Sequence, residues 1–119
     1  MLLAAYGSLK KGYYNHDCLE GAEYLGNSSV RGVMYSNGSY PKLYKVENDD
    51  YDSNFRLPLE KKHTLEIYRV TDEQYRPIER MELGAGYVVE EVETEWGPAK
   101  IFYMPHENFN SNDHWVEKY

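Results

Sequence analysis

Cysteine is almost missing from this chain. Cys18 stands alone among 119 residues, which excludes an intrachain disulfide. A single thiol fits a reducing compartment, and a cytoplasmic location is the expectation. Long apolar runs are missing as well: no stretch approaches the roughly 18 residues of a membrane span. The opening Met1-Leu2-Leu3-Ala4-Ala5-Tyr6 is short and has no basic lead, so it reads as a first strand and not as a secretion signal. Positive charge is scarce. Thirteen Lys and Arg face twenty Asp and Glu, for a formal charge of −7, and no basic cluster offsets it. Such a surface repels phosphate backbones, so neither nucleic acid nor membrane is an expected partner.

Motifs for metal, phosphate and nucleophilic chemistry are missing too. His106 and His114 lie eight apart with no HExxH or Cys/His cluster near them, so no metal site is expected. Gly7 and Gly12 are not followed by Gly-Lys-Ser/Thr, and Ser8 lacks a nucleophile-elbow context. Cys18 has His16 two residues away but no further orienting motif, and reads as a structural or incidental thiol.

Tyrosine, in contrast, is abundant at 13 residues. Tyr fills a core through its ring and needs a partner for its hydroxyl once buried. Either these residues fill a small β-rich core, or some of them line a ligand pocket. The length is that of one domain, 1–119, able to build a core without disulfides or metal. Leu2–Ala5 predicts a buried strand ending at Tyr6-Gly7-Ser8, and a short helix is expected around His16–Glu20. Val30–Tyr35 and the alternating Pro41–Val46 predict strands around the turn Ser36-Asn37-Gly38-Ser39, the second of them half-buried. Residues Glu47–Phe55, rich in acids and asparagine, predict an exposed loop. His63–Val70 predicts another strand. Thr71-Asp72-Glu73-Gln74 has capping-box form and starts a helix running to about Met81. Pro77 lies beyond its first turn and predicts a kink or a division into two short helices. Gly84-Ala85-Gly86 stops it, and Tyr87–Trp96 with Ala99–Met104 predicts a hairpin around Gly97-Pro98. The sum is an α+β domain: a small mixed β-barrel-like sheet with one main helix and short extra helices.

Three features can carry chemistry. A strand ending in Tyr6-Gly7-Ser8-Leu9 exposes successive backbone N–H groups able to cradle an anion or oxyanion, or is an ordinary strand-ending turn. Glu79 and Glu82 share a helix face at a C-terminal end, where the helix dipole disfavours carboxylates. Burial there would raise a carboxyl pKa and make it a better base; the other reading is a solvated acidic face. Glu66, between Leu65 and Ile67, points away from both and is either a rim residue or solvent-facing, the latter preferred.

Taken in order, these segments resemble the gamma-glutamylcyclotransferase-like superfamily, nearest its gamma-glutamylamine cyclotransferase branch. The opening Tyr6-Gly7-Ser8-Leu9-Lys10 matches the family's Tyr-Gly-Ser/Thr-Leu-Arg/Lys, and Lys10-Lys11-Gly12-Tyr13-Tyr14-Asn15-His16 is similar to the branch's Lys-Arg-Gly-x-x-Asn-His. Gly32-Val33-Met34-Tyr35, Tyr40-Pro41, Leu65–Val70 and Tyr87 follow in family order, and Asn112-Asp113-His114-Trp115 loosely echoes a Gly-Asp-Trp tail. Ile78-Glu79-Arg80-Met81-Glu82-Leu83 corresponds to Leu-Asp-x-x-Glu-Gly, with Leu83 in place of the Gly and Glu79 in place of the Asp; Val89 stands where many members carry Arg. The resemblance implies release of 5-oxoproline and an amine or amino acid from a gamma-glutamyl amide, by attack of the substrate's own α-amine. It implies Glu82 as the catalytic acid/base, Tyr6, Gly7, Ser8, Leu9, Asn15, Tyr35 and Tyr87 as substrate-binding residues, and no cofactor. The alternative is a protein that sequesters a small metabolite or signal in the same pocket.

Overall fold

The computed structural model describes residues 1–7, 9, 10, 12, 16–45, 60–117 and 119. The acidic segment 47–55 and the end of the strand expected at Pro41–Val46 lie outside them. Among the described residues, seven strands and one α-helix follow in the order β1 (Leu2–Ala5), β2 (Glu23–Ser36), β3 (Pro41–Tyr44), β4 (Lys61–Arg69), α1 (Asp72–Gly84), β5 (Val88–Thr94), β6 (Gly97–Tyr103) and β7 (His114–Val116). Short 3₁₀ turns at His16–Leu19 and His106–Asn108 complete the α+β architecture.

The sheet is mixed and runs β3-β2-β4-β1-β6-β5, with β7 added on β2. β1 lies antiparallel to β4, with Ala5 opposite Glu66, and parallel to β6, with Leu2 opposite Ala99. The expected barrel-like closure is corrected: among the described residues no ladder joins β3 to β5 or β6. A backbone bond, Met104 N–H to the Leu43 carbonyl at 2.8 Å, ties β3 to the residue that follows β6 and draws the curved sheet in.

β2 is more than twice the expected length. Glu23 to Gly32 pair with β4, and the last four residues, Val33 to Ser36, pair with β3 and β7, so one strand spans the curve. A register shift between Tyr24 and Gly26 bends it. Gly26 has φ +148, and a Cβ there would stand 2.6 Å from the Trp96 ring, which leaves glycine as the residue that fits. The β5–β6 turn is also shifted from expectation. Glu95-Trp96 forms the loop, Thr94 faces Gly97, and Pro98 is already inside β6.

Alternation along β1 splits the core. Leu3 and Ala5 join Tyr44, Tyr75, Ile78, Tyr87 and Phe102 beneath α1, while Leu2, Ala4 and Tyr6 join Met34, Leu43, Leu65, Ile67 and Ile101 inside the curl. α1 starts with the expected reciprocal capping box. Thr71 Oγ1 accepts from Gln74 N–H at 3.2 Å, and Gln74 Oε1 accepts from Thr71 N–H at 2.8 Å. The division expected at Pro77 does not occur, for the helix is continuous from Asp72 to Gly84. Burial of Tyr75 and Ile78 on either side of Pro77 anchors it to the sheet and offsets one missing backbone bond.

β3 is buried at all four positions and not half-buried, because even Lys42 is taken inside. Its ammonium meets the Asp113 carboxylate at 2.8 Å, with only 11% and 2% of the two side chains exposed. A buried pair of this kind adds little over an apolar substitute, but removing one partner strands a charge. Asp113→Ala should therefore cost about 3–5 kcal/mol in urea denaturation, while Lys42→Met/Asp113→Leu costs much less. A loss below about 1 kcal/mol in Asp113→Ala would show that the pair does not anchor β3.

Candidate active site

The chain leaves β1 at Tyr6 and turns at once, Lys10 N–H donating to the Gly7 carbonyl at 2.9 Å. The turn is fastened from outside by His16, whose Nδ1 lies 2.9 Å from the Leu9 carbonyl and donates to it. Gly7 is required by a close approach: a Cβ there would lie 2.8 Å from Pro41 Cγ and 3.1 Å from Cδ. Opposite this turn α1 ends. Ala85 caps it with its N–H on the last carbonyls, and Tyr87 N–H returns to the Glu82 carbonyl at 3.1 Å.

Between turn and helix end lies a cavity of about 330 Å³. Tyr6, Gly7, Leu9, Glu82 and Tyr87, all expected at a site, line it together. Tyr35 is not in its wall; it packs edge-on against Tyr44 and Phe109, with ring centroids 6.2 and 5.0 Å away. Ser8 and Asn15 lie outside the described residues. The sequence reading missed Ala4, Ala5, Tyr40, Pro41, Met81, Ala85 and Phe102 as lining residues. Tyr40-Pro41 and the helix neighbours of Glu82 were within its reach. Phe102 was not, since only the β1–β6 pairing brings it here. The two alanines of β1 leave the space that larger side chains would fill.

The two tyrosines deepest in the wall have fixed hydroxyls. Tyr87 donates to the Pro41 carbonyl at 2.8 Å, and Tyr6 donates to the Phe102 carbonyl in a short bond. The Leu43 backbone N–H also meets the Tyr6 oxygen, so the wall itself holds this hydroxyl. Burial, then the neighbouring Tyr87 and Glu82, push the Tyr6 phenol well above its ordinary pKa, so it stays neutral.

Glu82 is the chemically prepared group. Half-buried among Tyr, Phe, Met and Ala side chains, its carboxyl is raised from 4.5 to about 7 by loss of solvation. The helix C-terminus acts in the same direction, and no basic side chain lies in the last turn. Glu79, one turn back, differs: it accepts the Tyr75 hydroxyl at 2.6 Å, and Tyr75 stacks on Phe102. Glu66 does not line this cavity; it is half-buried and accepts from the Tyr68 hydroxyl at 2.9 Å. Cys18 is exposed, and among the described residues no group of His, Cys, Asp and Glu could hold a metal. No helix among them is long and apolar enough to cross a membrane.

A family model described as gamma-glutamyl cyclotransferase, AIG2-like, matches residues 3–118. The chain belongs to this family. A Pyrococcus horikoshii relative carrying the name "Putative gamma-glutamylcyclotransferase PH0828" is 31% identical over 100 residues, 84% of this chain and 75% of its own. The crystal structure of that protein matches with a TM-score of 0.73 and 26% identity over 98% of this chain and 86% of its own. A mouse AIG2-like protein shares the fold at a TM-score of 0.65 and 17% identity, over 99% of this chain and 86% of its own.

Two outcomes are expected. Glu82 binds its proton more tightly folded (about 7) than free (4.5), so native stability falls as pH rises between those values and is flat above them. Glu82→Gln removes this dependence. Its stability relative to wild type should grow by up to about 3 kcal/mol between pH 4 and pH 8, read by urea denaturation across pH. A pH-independent difference would place the carboxyl in solvent. Separately, Gly7→Ala should cost about 1–3 kcal/mol, and Pro41→Ala should recover part of that in the double variant; strict additivity would rule out the close contact.

Proposed function

We propose that the protein is a gamma-glutamyl cyclotransferase that opens a gamma-glutamyl amide by internal attack. The substrate's α-nitrogen bonds to its own γ-carbonyl carbon, a five-membered ring closes, and the amide C–N bond breaks. The products are 5-oxoproline and a free amine or amino acid; no water, nucleophile or cofactor is consumed. The observation that carries this reading is Glu82, a carboxyl poised at about 7 in an aromatic cavity facing the Gly7 turn.

The α-amine begins protonated, with an ordinary pKa of roughly 8, and must lose a proton to attack. A carboxylate of pKa about 7 accepts that proton without a large mismatch and, once protonated, returns it to the leaving nitrogen. Backbone N–H groups of the turn that includes Gly7 and Leu9 would hold the substrate carboxylate or the oxyanion formed at the γ-carbonyl. Tyr40, Pro41 and Phe102 would press the glutamyl chain into its ring-closing shape, a proximity effect.

The test is 5-oxoproline release from a panel of gamma-glutamyl amides. Glu82→Gln should lower turnover by roughly 10²- to 10⁴-fold with little change in ligand affinity, whereas Glu79→Gln should retain turnover. In wild type kcat/KM should rise with pH through about 7, and this limb should vanish in Glu82→Gln. Equal losses in the two variants would remove Glu82 from the role. A wild type that turns over nothing but holds a small molecule would favour sequestration instead.

A further inference from the structure

The cavity at Glu82 is closed at its floor and open along one helix. Ala4, Ala5 and Phe102, from β1 and β6, are buried in it. Gly7, Tyr40 and Glu82 are half-buried. Among the described residues that line the cavity, Met81 and Ala85 are the exposed ones. They stand one turn apart at the end of α1, joined by a 3.1 Å bond from the Ala85 N–H to the Met81 carbonyl. Met81 precedes Glu82 and Ala85 follows it by three, so the mouth of the cavity and its carboxyl share one helical turn.

An isolated exposed apolar side chain is ordinary. Leu83 is of that kind, 46% exposed and outside the wall. Met81 differs: it is 36% exposed and also faces the cavity. A flexible, polarizable thioether adapts to apolar groups of varied shape. Ala85 beside it is small and leaves the helix end open.

The proposed reaction decides what would reach this mouth. The leaving nitrogen takes its proton from Glu82, so it must come within about 3 Å of that carboxyl. Its substituent then lies beside the helical neighbours of Glu82, on the side where the cavity opens. A chain of about four carbons nearly spans the roughly 6 Å of helix axis from Met81 to Ala85.

We propose that Met81 is the residue that selects the leaving group, and that this group carries an apolar chain seated on Met81 and Ala85. The inference rests on Glu82 as the acid/base of the proposed reaction. Apolar contact with a group that stays bound through ring closure acts equally on substrate and transition state, so it lowers KM more than it raises kcat. The chain could belong to a simple amine or to an apolar amino acid, since both bring the same hydrocarbon to the same surface.

The test compares gamma-glutamyl amides of methylamine, butylamine and propanolamine with gamma-glutamylnorleucine. Binding is measured on Glu82→Gln and turnover on wild type. A fully buried methylene is worth roughly fourfold, so across a half-open mouth the butylamide should bind at least about tenfold more tightly than the methylamide, with a matching fall in KM. Propanolamine, equal in length to butylamine but polar at its end, should lose most of that gain. Met81→Ala should remove most of the butyl preference and Met81→Leu should restore it, whereas Leu83→Ala, outside the wall, should leave the ratio as it is. Norleucine adds a carboxylate to the same chain: affinity equal to the butylamide identifies an apolar amino acid as the leaving group, and weaker affinity identifies a simple amine. Equal affinity for methylamide and butylamide, or a butyl preference that survives Met81→Ala, would overturn the proposal. Binding in the expected order with no turnover by wild type would instead remove the catalytic reading and leave the apolar mouth in place.

Discussion

The contact between Gly7 and Pro41 is the constraint on which the site depends. β1 is only four residues long and buried on both faces, so wherever the chain leaves it, an opening forms at the sheet's centre. Pro41 occupies the space a Gly7 side chain would need, and Tyr87 fixes the same proline by hydrogen-bonding its carbonyl. Turn, β3 and the segment after α1 are thereby joined at one point. Lys42, the next residue, is locked by Asp113 from the far end of the chain. Four segments distant in sequence thus define one wall, and a shift in any of them moves the backbone that faces Glu82.

Glu82 itself runs against local stability. A carboxylate half-buried among aromatic rings, at the wrong end of a helix dipole, raises the free energy of the native state once it ionises. The helix carries it because other terms hold the helix in place: the reciprocal cap at Thr71 and Gln74, and the burial of Tyr75 and Ile78 against the sheet. Tyr75 also donates to Glu79, which keeps the second carboxylate of the same face solvated by a hydroxyl. Two carboxylates three residues apart therefore sit in unlike surroundings, one held by a tyrosine hydroxyl and the other, Glu82, lifted by burial to about 7.

Much of this could be read from the residues, and the misses have physical causes. The cap at Thr71, the turn at Ser36–Ser39 and the strand at Leu2–Ala5 are local signals and agree with the structure. β2 was underestimated because Gly26-Asn27-Ser28-Ser29 carries no apolar alternation. Pairing with β4 and the Trp96 ring over Gly26 hold it extended, and both are long-range contacts. Pro77 signalled a break that tertiary burial overrides. The tyrosines answer both readings. Tyr44 and Tyr68 fill the core, while Tyr6, Tyr40 and Tyr87 also face the cavity. Tyr6, Gly7, Leu9, Glu82 and Tyr87 converge because an ordered motif encodes a common fold. Phe102 and the alanine floor appear only when the strand order is known.

A reaction that closes a ring within its own substrate asks unusual things of a cavity. The reaction proposed for this chain needs no bound water and no protein nucleophile, and a half-apolar enclosure around one tuned carboxyl would provide what remains. The same enclosure explains why the carboxyl is tuned. Aromatic walls that would force the glutamyl chain to fold also strip solvent from Glu82, and loss of solvent is what lifts its pKa to about 7. Shape and basicity therefore have one origin. A substitution that opened the wall to water, such as loss of the Phe102 or Tyr40 ring, would relax both together: the carboxyl would return toward 4.5 as its grip on the folded chain loosened.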